Sequence, residues 1–245
     1  CIRCGLCVAN CHNGKVKMGT DGIEIDYKTC NHEDLGWVDI CPTGALSVKG
    51  KSITVAEAFE TVMRDEVFYR ESGGGLTLSG GEPLLQPQFA WELLKKVHDA
   101  GISTAVETAG EVPLKTLIDV LPYVDLFLYD FKHWDNEKHI EYTGLPNTRI
   151  KNNLKALAES GADIMVRMPL IPGVNDSEES IKKVMDVLKK YGIRKFVLLP
   201  FHQYGSGKYI SADMNYEMKD VRVSTEAYVN KLRKLINKEG FSSRY

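Results

Sequence analysis

All six cysteines of this chain, Cys1, Cys4, Cys7, Cys11, Cys30 and Cys41, lie within the first 41 of its 245 residues. The opening run Cys-x2-Cys-x2-Cys-x3-Cys, with Cys41-Pro42 further on, has the spacing and the Cys-Pro ending of iron-sulfur runs. Thiolates spaced this way can wrap one face of a compact cluster, and soft anionic sulfur suits iron. A disulfide framework fits less well, because no secretion signal is visible and the large cysteine-free remainder needs no staple. Structural zinc uses paired Cys-x2-Cys units rather than a run of four. In two-cluster modules the fourth Cys of each run serves the other cluster, so Cys1, Cys4, Cys7 and Cys41 make one complete metal site. Cys11 and Cys30 are left with His32, Glu33 and Asp34 and no further thiol. They are either leftover thiols or part of an unusual second cluster completed by a His or carboxylate. Gly22–Asp26 and Ala45–Val48 alternate like the short strands that line such a module.

The length allows one large domain, or a core domain with a small module. With 31 Lys+Arg against 33 Asp+Glu the net charge is -2, which offers no basic field for nucleic acid or anionic lipid. No apolar stretch reaches the span of a transmembrane helix and no signal peptide is visible, so a cytoplasmic location is expected. The sequence opens on Cys1 in mid-motif, without an initiator Met, and the polypeptide is expected to lack its natural beginning.

From Ser52 onward the pattern is that of an α/β protein. Thr54 with Glu57 forms a capping-box signature, with Val55, Phe59, Val62 and Met63 at helical spacing. Short apolar runs at Gly75–Ser79, Thr104–Val106, Val124–Tyr129, Ile164–Met168 and Lys195–Leu199 read as strands. Helices are expected around Trp91 to Val97, at 149–160, at 177–190 with Asp176 and Glu179 as its cap, and from Tyr228 to Lys238. Strands alternating with helices imply right-handed crossovers and a parallel sheet, open or closed. Ser72-Gly73-Gly74-Gly75 precedes its strand, so it reads as a flexible entry rather than a phosphate cradle. Trp91 and Trp134 read as packing residues.

In both open and closed parallel sheets the site lies at the C-terminal ends of the strands. Those ends deliver Ser79-Gly80-Gly81-Glu82-Pro83, Glu107-Thr108, Asp130 with Lys132, Arg167, and His202. Any one of these is most often a turn or a solvated ion pair, but together they converge on one rim. There is no Ser/His/Asp or Cys/His triad and no His set for catalytic zinc. A Gly-Gly backbone followed by a carboxylate can capture an ammonium, Lys132 or Arg167 can pair a carboxylate, and Glu107 can accept from ribose hydroxyls. An amino-acid nucleoside satisfies all three.

The set Ser79-Gly80-Gly81-Glu82-Pro83, Glu107-Thr108-Ala109-Gly110, Asp130-Phe131-Lys132-His133, Thr143-Gly144, Arg167 to Asp176 and Leu199 to Gly205 resembles the glycyl-radical-enzyme activating enzymes, a branch of the radical SAM superfamily. Residues 1–50 resemble the ferredoxin-like insert of the branch that activates dehydratases, decarboxylases and lyases. The resemblance implies a partial parallel (β/α)6 barrel over 51–245, with S-adenosylmethionine and a catalytic 4Fe-4S cluster as cofactors. It implies a partner glycyl radical enzyme and a flavodoxin or ferredoxin as reductant. By position Gly80, Gly81 and Glu82 would hold the methionyl amino group. Lys132, Arg167 and His202, the candidate catalytic residues, would contact the rest of the cofactor. Glu107, Thr108 and Asp130 match a monovalent-cation site, where Glu107 is one methylene longer than the Asp found in relatives. The family's Cys-x3-Cys-x2-Cys is absent here, since Cys7-x3-Cys11 is followed by Gly14 where a third thiolate would sit. That motif and the first barrel strand are expected to precede Cys1. The competing expectations are an electron-transfer protein on an inactive barrel, which predicts iron that does not respond to S-adenosylmethionine, and a zinc-bearing scaffold.

Overall fold

In this computed structural model the described residues are all but 13, 28, 30–34, 49, 212, 213, 244 and 245. The chain forms two compact units, Cys1–Ile53 with Gln203–Lys219, and Thr54–His202 with Asp220–Tyr245. No helix among the described residues is long and apolar enough to cross a membrane.

The first unit contains α1 (Leu6–Asn10), the antiparallel pair β1 (Val16–Met18) and β2 (Ile23–Ile25), and α2 (Gly36–Asp39). Its small core is Cys7, Cys11, Val16, Trp37 and Val38. The strand expected at 22–26 is present as β2. It pairs with β1, and the second expected strand, Ala45–Val48, is not formed. Three residues of β1 are too few to show a period of two.

The second unit alternates helix and strand through α3 (Val55–Met63), α4 (Glu66–Ser72), β3 (Gly75–Leu78), α5 (Pro87–Asp99), β4 (Ser103–Thr108), α6 (Leu114–Val120), β5 (Leu126–Asp130), α7 (Asn136–Thr143), α8 (Thr148–Glu159), β6 (Ile164–Leu170), α9 (Glu178–Lys190) and β7 (Lys195–Pro200). The chain then supplies α10 (Ser206–Ser211) to the first unit and closes the second with α11 (Glu226–Lys238). The five strands are parallel, in the order β3-β4-β5-β6-β7. Consecutive neighbours joined by crossovers of one hand put the helices on one face of a sheet, the arrangement of a partial barrel.

Local chemistry sets the ends of these elements. The capping box of α3 is formed, with the Thr54 hydroxyl accepting from Glu57 N and the Glu57 carboxylate from Thr54 N. The expected Asp176/Glu179 cap of α9 is corrected. Ser177 is the N-cap and accepts from Ser180 N, while Asp176 accepts from Gly173 N in the preceding loop. A hydroxyl one residue later took the cap. The run Ser72–Gly75 is also specified by contact: Gly73 ends α4 at φ 68°, the left-handed cap that glycine adopts freely. A Cβ on Gly75 would lie 1.9 Å from the Ser103 carbonyl oxygen.

Candidate active site

Strand register decides which side chains share a face. Glu107 is paired with Leu128, Asp130 with Arg167, and Thr77 with Ala105. Because alternate residues point to opposite faces, Thr77, Ala105, Glu107, Leu128, Asp130 and Arg167 all lie on one side. The other side carries Val106, Phe127, Tyr129, Val166, Met168, Phe196 and Leu198, all inaccessible and packed in the main core. Glu107, Asp130 and Arg167 therefore gather on the face opposite this core, while Thr108 falls on the face of Val106 and Tyr129.

Arg167 is the centre of this group. Its Nη2 donates to Glu107 Oε1 at 2.5 Å and to Asp130 Oδ1 at 2.7 Å, and its Nε to the same Asp130 oxygen at 3.0 Å. Ser79 donates to the other Glu107 oxygen at 2.9 Å. The Arg167 side chain is 8% exposed. The Arg167 hydrogen bond holds the Glu107 carboxyl below its usual range, against burial and with help from Ser79. Burial pushes Asp130 upward, and the neighbouring guanidinium only partly offsets it. Burial opposes the charge on Arg167, but its two carboxylate partners outweigh it and raise its pKa.

The loop after β3 is tied to the end of β4. The Glu82 carboxylate accepts from the Thr108 hydroxyl at 2.9 Å, from Ala109 N at 3.0 Å and from Leu84 N at 3.3 Å. Gly80 has φ 145°, and a Cβ on Gly80 or Gly81 would meet nothing within 4 Å. Bare backbone beside a fixed carboxylate fits the amino group of an amino-acid nucleoside. Thr108, expected among cation ligands, donates its hydroxyl to Glu82 and accepts from Gly110 N.

Lys132 and His202 follow β5 and β7 and are exposed. Sequence reasoning missed what holds the Lys132 loop. Asn175, 2% exposed, donates to the carbonyls of Lys132 and Pro169 and accepts from Ile171 N. His133 Nδ1 accepts from Asp135 N at 3.0 Å, and the Val174 backbone also bonds the ring. Both residues stood in the quoted motifs. The signal that could have marked them is a polar side chain beside Pro and Gly turn residues, which often bonds local backbone.

In the first unit Cys1 and Cys4 are exposed, Cys7 and Cys11 buried and Cys41 half-buried, all as free thiols. Cys1 and Cys41 line one cavity of about 370 Å³ with Asp21 and Glu24. Hydrogen bonds from the Thr43 hydroxyl and from the backbone of Thr43, Leu46 and Ala45 lower the Cys41 thiol to about 7 despite burial. Such donors stabilise a thiolate, the form that binds metal, so the donor chemistry suits iron and sulfur. Among the described residues no three His, Cys, Asp or Glu side chains stand together as a metal site. Cys30 and the alternative ligands His32, Glu33 and Asp34 lie outside the described residues.

Residues 39–185 match the family model described as Radical SAM superfamily. The chain belongs to the radical SAM superfamily. Its relatives there include the isethionate sulfite-lyase activating enzyme of Desulfovibrio desulfuricans, 41% identical over 210 residues that cover 84% of this chain and 67% of the relative. The choline trimethylamine-lyase activating enzyme of Oleidesulfovibrio alaskensis is 35% identical over 98% of this chain and 80% of its own length. The pyruvate formate-lyase 2-activating enzyme of Escherichia coli is 38% identical over 82% and 69%. Within the superfamily, the chain groups with the activating enzymes of glycyl radical enzymes. A domain of pyruvate-formate lyase-activating enzyme from Bacteroides vulgatus superposes with a TM-score of 0.59 at 28% identity, covering 70% of this chain and 98% of the domain. SuiB of Streptococcus suis, at 14% identity and a TM-score of 0.61 over 81% of this chain and 45% of its own, shares the fold. Radical SAM membership implies S-adenosylmethionine and a 4Fe-4S cluster.

Proposed function

We propose that this chain is a radical SAM activase that reductively cleaves S-adenosylmethionine and abstracts hydrogen from one glycine of a partner glycyl radical enzyme, a dehydratase, decarboxylase or lyase. The observation that carries this reading is the convergence of Ser79, Glu107, Asp130 and Arg167 beside the open Gly80-Gly81-Glu82 backbone, in a chain whose relatives are named activating enzymes. When bound, the reduced cluster supplies one electron to the sulfonium, and the products are methionine and the 5'-deoxyadenosyl radical that takes the glycine hydrogen.

The chain's own residues bind and orient. Gly80, Gly81 and Glu82 receive the methionyl ammonium, with Glu82 already aimed by Thr108 and Ala109. Lys132, Arg167 and His202 face the carboxylate and nucleoside. Residues 1–50 form the ferredoxin-like module of the barrel at 51–245, with Cys1, Cys4, Cys7 and Cys41 around one 4Fe-4S cluster. The acidity of Cys41 supports that assignment. The catalytic Cys-x3-Cys-x2-Cys is not among these 245 residues. We assign it, with a strand for the unpaired side of β3, to sequence upstream of Cys1. A flavodoxin or ferredoxin in the cytoplasm serves as reductant.

The test uses the gene product with its upstream segment, reconstituted with iron and sulfide under anaerobic, reducing conditions. Deoxyadenosine formation and a glycyl-radical EPR doublet on the partner are expected. An iron-loaded protein that forms no deoxyadenosine would overturn the reading.

A further inference from the structure

We propose that the Arg167 guanidinium is a built-in cation of this site, occupying the seat between Glu107 and Asp130 that a free monovalent ion would otherwise fill. Nη2 lies 2.5 Å from Glu107 Oε1 and 2.7 Å from Asp130 Oδ1, so one guanidinium nitrogen bridges the two carboxylates through charge-assisted hydrogen bonds. An ion placed between those oxygens would overlap the nitrogen. The third candidate oxygen, the Thr108 hydroxyl, donates its proton to Glu82 and accepts from Gly110 N. The second Glu107 oxygen takes the Ser79 hydroxyl. The place between Glu107 Oε1 and Asp130 Oδ1 is therefore taken while Arg167 stays there.

The charges agree with the geometry. Two carboxylates and one guanidinium sum to a single negative charge, and Lys132 interacts favourably with Asp130. The four groups Glu107, Asp130, Arg167 and Lys132 are thus close to neutral together without any ion from solution. A planar guanidinium held by two carboxylates has a fixed position and cannot be diluted away. The chain should carry out its function independently of which alkali cation the medium supplies. The inference rests on the activase reading only for the kind of ion concerned.

The first measurement is thermal melting of the chain at constant ionic strength in sodium, potassium or tetramethylammonium chloride, without S-adenosylmethionine. A bound ion stabilises the folded state it binds, so no shift in Tm is expected for the wild type. Arg167→Gln empties the seat and should gain a rise of a few degrees in sodium or potassium over tetramethylammonium. Arg167→Lys, which keeps a charge there, should stay insensitive, and it serves if the Gln variant does not fold. The ²⁰⁵Tl resonance of thallous ion, a potassium probe, should show no saturable site in the wild type. A wild-type Tm raised by sodium or potassium and lost in Glu107→Gln, or a saturable thallous site, would overturn the proposal. Because no cofactor is present, this outcome is separate from deoxyadenosine formation.

Discussion

Thr108 and Glu82 are joined by a hydrogen bond of 2.9 Å between elements 26 residues apart in sequence, and this bond sets the direction of the carboxylate beside the Gly-Gly backbone. Thr108→Val keeps the shape but removes both the donor to Glu82 and the acceptor of the buried Gly110 N, at a cost of about 2–3 kcal/mol in stability. Its larger effect should be a weaker apparent affinity for S-adenosylmethionine. Thr108→Ser should restore both. Equal affinity in the Val variant, measured by equilibrium dialysis on the cluster-loaded enzyme, would show that Glu82 does not receive the ammonium.

Asn175 fastens the Lys132 loop to the loop after β6 through three hydrogen bonds. Asn175→Ala leaves buried backbone groups without partners, which should cost about 2–3 kcal/mol, or roughly 5–10 °C in Tm. KM for S-adenosylmethionine should rise more than kcat falls. A variant that melts early but keeps its KM would confine Asn175 to stability.

Gly110 sits at φ 73° under the Tyr129 ring, where an added Cβ would lie 1.7 Å from the hydroxyl oxygen and 2.3 Å from Cζ. Gly110→Ala should lose more than about 2 kcal/mol from strain and overpacking together. Tyr129→Phe should not rescue it, because Cζ remains in the way. Rescue by Phe in chemical denaturation would locate the clash at the hydroxyl alone.

His133 is buried, and burial lowers its pKa from 6.5. The unfolded chain then binds a proton at a pH where the folded chain does not, so this contribution is present above the unfolded value and lost as pH falls through the folded one. Melting curves from pH 7.5 down to about 5 should show declining stability from this residue. The decline should be shallower in His133→Gln. Parallel curves for the two proteins would contradict the assignment.

The five strands were legible because each is a short, largely apolar run set between helical segments, and the second capping motif was displaced only because Ser177 offered a hydroxyl next to Asp176. The three-residue β1 and the failed strand at Ala45–Val48 show where the signal ends, since three or four residues cannot establish a period. The members of the rim could be named from sequence, but their partners could not. Arg167 and Glu107 are 60 residues apart, and which of them met was decided by strand register. Asn175 was hidden for the opposite reason: its bonds lie mostly in its own turn, where a polar side chain reads as a surface loop.

The parity of that register has an evolutionary consequence. Substitution of Glu107, Asp130 or Arg167 alters the chemistry of one face and leaves Val106, Tyr129, Val166 and Met168 undisturbed on the other. New specificities can therefore arise by changing alternate residues, without rebuilding the hydrophobic layer. A single-residue insertion within β5 has the reverse effect. It would carry Tyr129 into the polar face and an acid into the oil, so such insertions should be confined to the loops that follow the strands.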